Sequence, residues 1–354
     1  MGAGFDCRLW NFSVTRRKEN GAKSQKGDLM KLLILGAGAS KPFGFPTGEE
    51  LSEKIRTGLE SIEKPFFRDV LAASRFEGLE ASESNFEELG NALLYNPSTI
   101  DRLIHEREEL KDAGKLSIAR ALIPLEDPSN LTAPAGKATD NGQFWVDVLF
   151  RHLAGFDGPE ATEKWEEFAI LTFNYDRSFE HAMAERCYSV FGEERAEEAL
   201  DKIQVVHLHG SLGRHPRFPI SIDTIHPPGP DFEFEPSFRH ERLAEAASNI
   251  RTMDFTEADR YQFGDNYEDS VDAVAFLGFS YAPENLQRAG LRRTEDMTNH
   301  HPRVFGTTLG LTRKEIMSTK KRLQQYFGVR VNDFTGWGNE YDNLDLLIKS
   351  DFLV

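Results

Sequence analysis

Short runs of apolar residues recur along most of this chain, separated by longer stretches with helical periodicity. The runs lack the strict alternation of a half-exposed strand. Continuous apolar runs are typical of strands that are covered on both faces, as in a parallel sheet. We predict six strands, at Leu32–Leu35, Phe168–Phe173, Gln204–Leu208, Ala273–Leu277, Pro302–Gly306 and Val329–Asn332.

Helical patterns fill the stretches between these runs. We predict helices at Glu49–Ile62, Asn141–Leu153, Arg177–Ile203, Ser237–Thr252, Pro283–Arg293, Arg313–Phe327 and Asp342–Leu353. Because strands and helices alternate, the pattern predicts an α/β fold with a doubly wound, Rossmann-like parallel sheet of about six strands. Residues 50–165 contain no convincing strand, so we interpret this segment as a helical insertion after the first strand.

Composition and charge exclude several classes of protein. The chain has 354 residues and a charge sum of 42 − 58 = −16, and an acidic surface repels phosphate backbones, so no direct nucleic-acid binding is expected. The sequence contains no run of 18 apolar residues, so no membrane span is predicted. The two cysteines, Cys7 and Cys187, exclude a disulfide scaffold and a four-cysteine zinc site, and they fit a reducing, cytoplasmic setting.

The first 29 residues differ from the rest because they carry six Lys or Arg residues against three acidic ones. Met30 stands directly before the first predicted strand. Residues 1–29 are therefore either a flexible arm or an extension upstream of a natural start at Met30. In both interpretations the folded domain spans residues 30–354.

Small or polar residues follow four consecutive predicted strands. These segments are Gly36–Ser40, Asn174–Asp176, His209–Ser211 and Gly278–Ser280. In open parallel sheets, ligands bind outside the carboxyl ends of the strands. The order of the four segments therefore predicts one ligand site at this edge of the sheet.

The turn Gly36-Ala37-Gly38 has two interpretations. Glycines let the backbone approach a ligand closely, and amides at a helix start suit a phosphate, but the same residues also make a tight turn that binds nothing. A dehydrogenase fingerprint is disfavoured because Lys41 stands where its third glycine belongs. The sequence also lacks the Gly-x-Ser-x-Gly elbow of serine hydrolases and a Walker-type phosphate loop.

The side chains at the other strand ends suggest chemistry. The neutral amide of Asn174 donates and accepts, which suits a water or a sugar hydroxyl, and Asp176 can stabilise positive charge. Asn174 and Asp176 also fit an Asx turn that caps the next helix. His209 stands where the third strand ends, and its near-neutral pKa suits a general base, whereas His207 inside the strand is interpreted as a hydrogen-bonded core residue.

The four segments, in this order, resemble motifs of the sirtuin family. Gly36–Ser40 with Gly44–Gly48 looks like the sirtuin NAD-binding loop, and Thr172–Asp176 is similar to the sirtuin Thr-Gln-Asn-x-Asp. Leu208–Ser211 resembles the stretch that carries the catalytic histidine, and Gly278–Ser280 resembles the Gly-Thr-Ser that holds cofactor phosphate and ribose. The four zinc cysteines of sirtuin deacylases have no counterpart here, nor has their Asp-Phe-Arg after the Gly-x-Pro.

The set is most similar to the zinc-free sirtuin-like domains of bacterial anti-phage systems, which hydrolyse NAD. The resemblance implies an NAD+ glycohydrolase that takes NAD as its substrate, needs no metal, and uses Asn174, Asp176 and His209 as catalytic residues. The residues implied to bind NAD are Gly36, Ala37, Gly38, Ser40, Thr47, Asn174, Asp176, Gly278, Phe279 and Ser280.

Two other functions stay open at this point. One is a non-catalytic sensor that binds NAD or ADP-ribose. The other is a zinc-free NAD-dependent protein deacylase, with a peptide groove lined by Gly213–Pro236. A toxic NAD hydrolase must be restrained until infection, so we expect a homo-oligomer or a partner such as an ATPase or an Argonaute-like protein. The apolar content of residues 50–165 makes that segment the expected contact surface.

Overall fold

A parallel sheet of five strands forms the centre of the computed structural model of this protein. The strands are β1 (Met30–Leu35), β2 (Phe168–Thr172), β3 (Gln204–His207), β4 (Val271–Leu277) and β5 (Arg303–Gly306). Their order across the sheet is β3-β2-β1-β4-β5, and every neighbouring pair is parallel. The chain therefore reverses its direction of travel across the sheet at the β1/β4 boundary, as in a Rossmann-like fold.

The strand predictions are confirmed wherever the structure describes the chain. It describes residues 30–76, 78–95, 99–128, 144–155, 164–218, 239–251, 271–289, 302–327 and 343–353. Five of the six predicted strands lie in these ranges, and each observed strand end is within two residues of its prediction. The sixth predicted strand, Val329–Asn332, lies outside the described residues, as do residues 1–29 and most of Gly213–Pro236, the segment named above as the lining of a peptide groove.

Helices flank the sheet. They are α1 (Ala37–Ser40), α2 (Gly48–Gly58), α3 (Pro65–Ala73), α4 (Glu83–Tyr95), α5 (Ile100–Glu106), α6 (Lys111–Leu122), α7 (Trp145–Ala154), α8 (Ser178–Phe191), α9 (Glu193–Leu200), α10 (His240–Asn249), α11 (Pro283–Arg288), α12 (Arg313–Phe327) and α13 (Asn343–Lys349). Within the described ranges, no helix is long and apolar enough to cross a membrane.

The prediction of one continuous helix at Arg177–Ile203 is wrong. The chain breaks at Gly192, whose φ of +76° lies in the left-handed region that glycine adopts without strain. The amide of Gly192 still donates to the carbonyl of Tyr188, so the glycine closes α8 before α9 begins. The sequence pattern did not predict this break, because it consists of a single glycine within an otherwise helical stretch.

The chain between β1 and β2 is helical, from α2 to α7, in the part that the structure describes. The apolar side chains of these helices are buried in one core, for example those of Phe67, Phe86 and Ile104, and α3 and α6 pack against α10. Leu94 and Tyr95, at the end of α4, are exposed exceptions. Most of the apolar content of the segment is thus explained by the core of the protein itself, and it does not by itself indicate a contact between copies.

The register of the sheet brings the four polar segments to one edge. Thr172 pairs with His207 on one side and with Leu35 on the other, and Leu35 pairs in turn with Leu277. These four residues therefore lie side by side across the sheet, and the segment that follows each of them starts at the same level.

Candidate functional site

The loops after β1 and β4 meet backbone to backbone. The amide of Gly36 donates to the carbonyl of Leu277, and that of Gly38 donates to the carbonyl of Gly278, both at 2.9 Å. A Cβ atom on Gly278 would lie 2.2 Å from the carbonyl carbon of Gly38, and its φ of +55° is left-handed. The close packing of the two loops therefore requires these glycines, and it engages the amides of Gly36 and Gly38.

The hydroxyl of Ser40 ties the loop after β1 to the loop after β2. It accepts hydrogen bonds from Nδ2 of Asn174 at 2.9 Å and from Oγ of Ser178 at 3.2 Å, and it donates to Oδ1 of Asp176 at 3.0 Å. One hydroxyl has one proton and two lone pairs, so these contacts use its full capacity. Ser40 is 3% exposed and holds the other members of this polar cluster (Ser40, Asn174, Asp176 and Ser178) in place.

The side-chain amide of Asn174 is fixed in orientation, and its oxygen has no hydrogen-bond partner among the described residues. Its Nδ2 atom also donates to the carbonyl of Gly36 at 3.0 Å, and because a carbonyl only accepts, the amide cannot be flipped. Its side-chain oxygen Oδ1 is buried and has no hydrogen-bond partner among the described residues. A buried acceptor without a donor costs about 1–3 kcal/mol, so a hydroxyl or a water that reaches this atom is bound favourably.

Asp176 forms the Asx turn that the sequence allowed, since its Oδ1 accepts from the amide of Ser178 at 3.1 Å. Burial raises the pKa of Asp176 to about 6, although the hydrogen bonds from Ser178 and Ser40 favour the ionised form. At neutral pH this buried carboxyl is therefore ionised for most of the time, and it can stabilise positive charge beside it.

His207 is a satisfied core histidine, as predicted. Its Nδ1 lies 2.8 Å from the carbonyl oxygen of Asn174, and its Nε2 lies 2.5 Å from Oε1 of Glu180. Burial alone would lower the pKa of His207, but the Glu180 carboxylate and the hydrogen bonds raise it overall. This histidine joins the loop after β2 to β3 and has no ring nitrogen to offer a ligand.

His209 has the opposite surroundings. Its ring packs against Phe173, with centroids 5.2 Å apart, and against Tyr175, with centroids 5.9 Å apart. Burial, followed by the positive charge of Arg288, lowers the pKa of His209 well below its ordinary value, so the imidazole is neutral. Its Nε2 is buried and has no hydrogen-bond partner among the described residues.

Two residues beside His209 were missed by the sequence reasoning. Asp101, in the first turn of α5, accepts a hydrogen bond from the hydroxyl of Tyr175 and lies 4.0 Å from Nδ1 of His209. Arg288, at the end of α11, donates to the carbonyl of Leu208 from Nη2 at 2.7 Å and from Nε at 3.1 Å. No local sequence signal marks either residue, because only the docking of α5 and α11 brings them here.

The remaining predicted ligand contacts lie at the rim or in structural roles. Phe279 packs on Phe173 with centroids 5.0 Å apart, and Ser280 is exposed. Thr47 closes a capping box at the start of α2, in which its amide donates to the Glu50 carboxylate at 2.8 Å and its Oγ1 accepts from the Glu50 amide at 3.4 Å. The hydrogen bonds of Thr47 are thus those of a helix cap.

A buried ion-pair network anchors the loop after β2 to the helical segment. Arg177 donates to both carboxylate oxygens of Glu126, at 2.9 and 2.5 Å, and both side chains are fully buried. Arg242 of α10 reaches the same carboxylate at 3.2 Å, and Arg177 also donates to the carbonyl of Arg214 at 2.6 Å. Breaking a buried pair leaves an uncompensated charge, so this network fixes the residues that flank Asp176.

Within the described ranges, no group of three or more His, Cys, Asp or Glu side chains is arranged to hold a metal ion. A scan against models of protein families finds none that matches the chain, and a search of curated proteins finds no matching relative. The function is therefore inferred from the residues and the geometry at the carboxyl edge of the sheet.

Proposed function

We propose that this protein is an NAD+ glycohydrolase that cleaves the bond between nicotinamide and ribose. The observation that carries the proposal is a pair of buried polar atoms without partners among the described residues, Oδ1 of Asn174 and Nε2 of His209. Both follow neighbouring strands at the carboxyl edge of a Rossmann-like sheet, where ligands bind in such folds. A ribose with its hydroxyl groups and one water molecule can supply the missing partners.

Cleavage of the nicotinamide–ribose bond needs little acid catalysis. The glycosidic bond breaks with its electron pair moving to the pyridinium, so nicotinamide leaves as a neutral molecule and the ribose gains oxocarbenium character. A water oxygen then bonds to the ribose carbon and loses a proton. The products are nicotinamide, ADP-ribose and one proton, so the protein has to orient the ribose, stabilise positive charge and accept that proton.

The polar cluster and His209 match these tasks. Oδ1 of Asn174 is the acceptor for a ribose hydroxyl or for the attacking water, and the ionised Asp176 stabilises the positive ribose. His209 is neutral at physiological pH and can accept the proton of the water. Ser40 contributes by holding Asn174 and Asp176 in position.

The loops after β1 and β4 are assigned to the ADP-ribose part of NAD on the resemblance of their motifs to those of sirtuins. Ala37 and the exposed Ser280 are the candidate contacts there, because the amides of Gly36 and Gly38 are engaged by carbonyl groups. The same resemblance is the basis for a role in anti-phage defence by NAD depletion, with a homo-oligomer or a partner protein restraining the activity.

Release of nicotinamide from NAD+ tests the proposal. We expect release by the wild type and a loss of about 100-fold or more in His209→Ala and Asn174→Ala, since each removes a group that acts on the water or the ribose. His240→Ala, at an exposed histidine of α10, is the matched control and should keep full activity. Full turnover by either site variant would remove that residue from the mechanism.

The same experiment separates the other functions. Binding of NAD in calorimetry without release of nicotinamide identifies a sensor. Release only in the presence of an acylated peptide identifies a deacylase. Equimolar nicotinamide and ADP-ribose with NAD+ alone identify the hydrolase.

A further inference from the structure

The helical segment between β1 and β2 brings one acidic side chain to His209. Asp101 lies in the first turn of α5, and its Oδ1 atom is 4.0 Å from Nδ1 of His209. The hydroxyl of Tyr175 donates to the same oxygen, which fixes the carboxyl group between the two rings. The side chains of His209 and Asp101 are 5% and 17% exposed, so water screens this contact only weakly.

The position of Asp101 is itself well determined. The amide of Ile100 donates to Oγ of Ser52 in α2 at 2.9 Å, which anchors the start of α5. Leu103 and Ile104 are buried on the inner side of the helix. The docking of α5 on its neighbours therefore places Asp101 beside His209.

The charged and titratable groups that face His209 within the described residues are Asp101, Tyr175 and Arg288. Burial and then Arg288 lower the pKa of His209, so the ring is neutral and carries one N–H group. Of its two ring nitrogens, Nδ1 faces the carboxyl oxygen, and Nε2 has no partner among the described residues. A carboxylate beside one ring nitrogen favours the tautomer with the hydrogen on that nitrogen.

We propose that Asp101 is a positioning residue that keeps the hydrogen of neutral His209 on Nδ1 and thereby leaves the lone pair of Nε2 free to accept a proton from the attacking water. This proposal rests on the proposed NAD+ glycohydrolase function. The water oxygen bonds to the ribose carbon, its proton moves to Nε2, and the imidazolium that results is stabilised by the Asp101 carboxylate until it releases the proton to solvent. The 4.0 Å separation shortens on protonation, since hydrogen bonds of catalytic groups are often long in ligand-free structures.

The first test does not depend on turnover. Nitrogen-15 NMR of the histidine side chains in the full-length protein reports which ring nitrogen carries the hydrogen, and His209→Gln identifies the signals of His209 by their loss. We expect the Nδ1–H tautomer in the wild type and a shift toward Nε2–H in Asp101→Asn. The Nε2–H tautomer in the wild type would overturn the proposal.

The second test is kinetic. Asp101→Asn should lower kcat on the order of tenfold and leave KM within about twofold, because the residue acts through His209 and does not touch substrate. Removal of the carboxylate lowers the pKa of His209 further, and it also removes a carboxyl whose own pKa is raised by burial. Both changes move the acid limb of the kcat profile to lower pH.

Matched variants separate positioning from stability. Glu106→Gln removes an exposed carboxylate at the other end of α5 and should change neither kcat nor the pH profile. Asp101→Glu retains the charge and should recover part of the loss. Tyr175→Phe keeps the aromatic ring but removes the hydroxyl that holds Asp101. We expect a smaller loss of kcat than in Asp101→Asn, with a shifted acid limb of the kcat profile. If Asp101→Asn does not fold, Tyr175→Phe takes its place in the test.

An unchanged acid limb in Asp101→Asn, with only a lower melting temperature, would reduce Asp101 to a structural residue and contradict the proposal. The failure of either proposal is recognisable. An Nδ1–H tautomer in a protein that releases no nicotinamide rejects the proposed function alone, and release of nicotinamide with an Nε2–H tautomer rejects only the role of Asp101.

Discussion

The loops after β1 and β4 and the loops after β2 and β3 end one sheet at the same level, yet their contacts differ in kind. The first pair closes through its backbone, with Gly36, Gly38 and Gly278 in direct contact and two amides engaged by carbonyls. The second pair is joined by the side chain of His207 and by one backbone hydrogen bond, from the amide of Leu212 to the carbonyl of Tyr175, and it leaves two buried polar atoms, on Asn174 and His209, without partners among the described residues. The unpartnered polar groups of the described residues at this edge thus lie in the second pair of loops.

The same contrast recurs within the second pair of loops. His207 engages both ring nitrogens, whereas Nε2 of His209, two residues further along the chain, has no partner among the described residues. Burial is similar for both rings, so the difference lies in their partners. A buried polar atom without a hydrogen bond lowers the stability of the fold. Such atoms are typical of binding sites, where the ligand supplies the hydrogen bond.

The largest effect is expected at the glycine contact. Gly278→Ala forces a Cβ atom into the backbone of Gly38 at a left-handed φ, and we expect a loss of at least about 3 kcal/mol in the free energy of unfolding or no folded protein. Gly310→Ala is the control, because Gly310 has φ +79° with open space around it, and it should cost only about 1–2 kcal/mol. Urea denaturation measures both, and equal losses would show that the loop contact does not require glycine.

The two histidines give the next effect. His207→Leu leaves the buried carboxylate of Glu180 without its partner, so we expect a loss of about 3 kcal/mol in the free energy of unfolding. His209→Leu leaves Glu180 paired and should cost less than about 1 kcal/mol, because Nε2 made no hydrogen bond within the described residues. Nicotinamide release should be abolished in His209→Leu, and a reversed order of stabilities would break the comparison.

The pH dependence of stability reports on Asp176. Because its pKa rises from 3.8 in the unfolded chain to about 6 in the folded protein, the folded state binds the proton more tightly. The wild type therefore loses stability relative to Asp176→Asn as pH rises from about 4 to 7, by on the order of 3 kcal/mol, with little further change above that range. Urea denaturation of both proteins across this range is the measurement, and a constant difference would contradict the raised pKa.

The smallest effect is expected at Thr47, which lies in the loop that was assigned to NAD from the sequence. Thr47→Ala removes the helix cap and should lower the free energy of unfolding by about 1 kcal/mol, and Thr47→Ser should be close to neutral. The KM for NAD+ should stay within about twofold in both variants. A larger rise of KM in Thr47→Ala alone would put its side chain on the substrate.

Much of the fold was predictable because its signals are local. Five apolar runs gave strands within two residues of their observed ends, and the buried position of His207 followed from the strand that carries it. The helix break at Gly192 was missed, since a glycine inside a helical pattern is tolerated more often than it ends a helix. The predicted NAD-binding and catalytic roles stay predictions.

The sequence by itself determined which residues end the strands, because strand periodicity and turn chemistry depend on near neighbours in the chain. Only the tertiary structure decided what those residues do to one another. The hydroxyl of Ser40 is hydrogen-bonded to Asn174 and Asp176, and Asp101 lies beside His209. Both contacts join segments that are distant in sequence. Such contacts are set by how helices dock on a sheet, and the burial that docking creates is what raises the pKa of Asp176 and lowers that of His209.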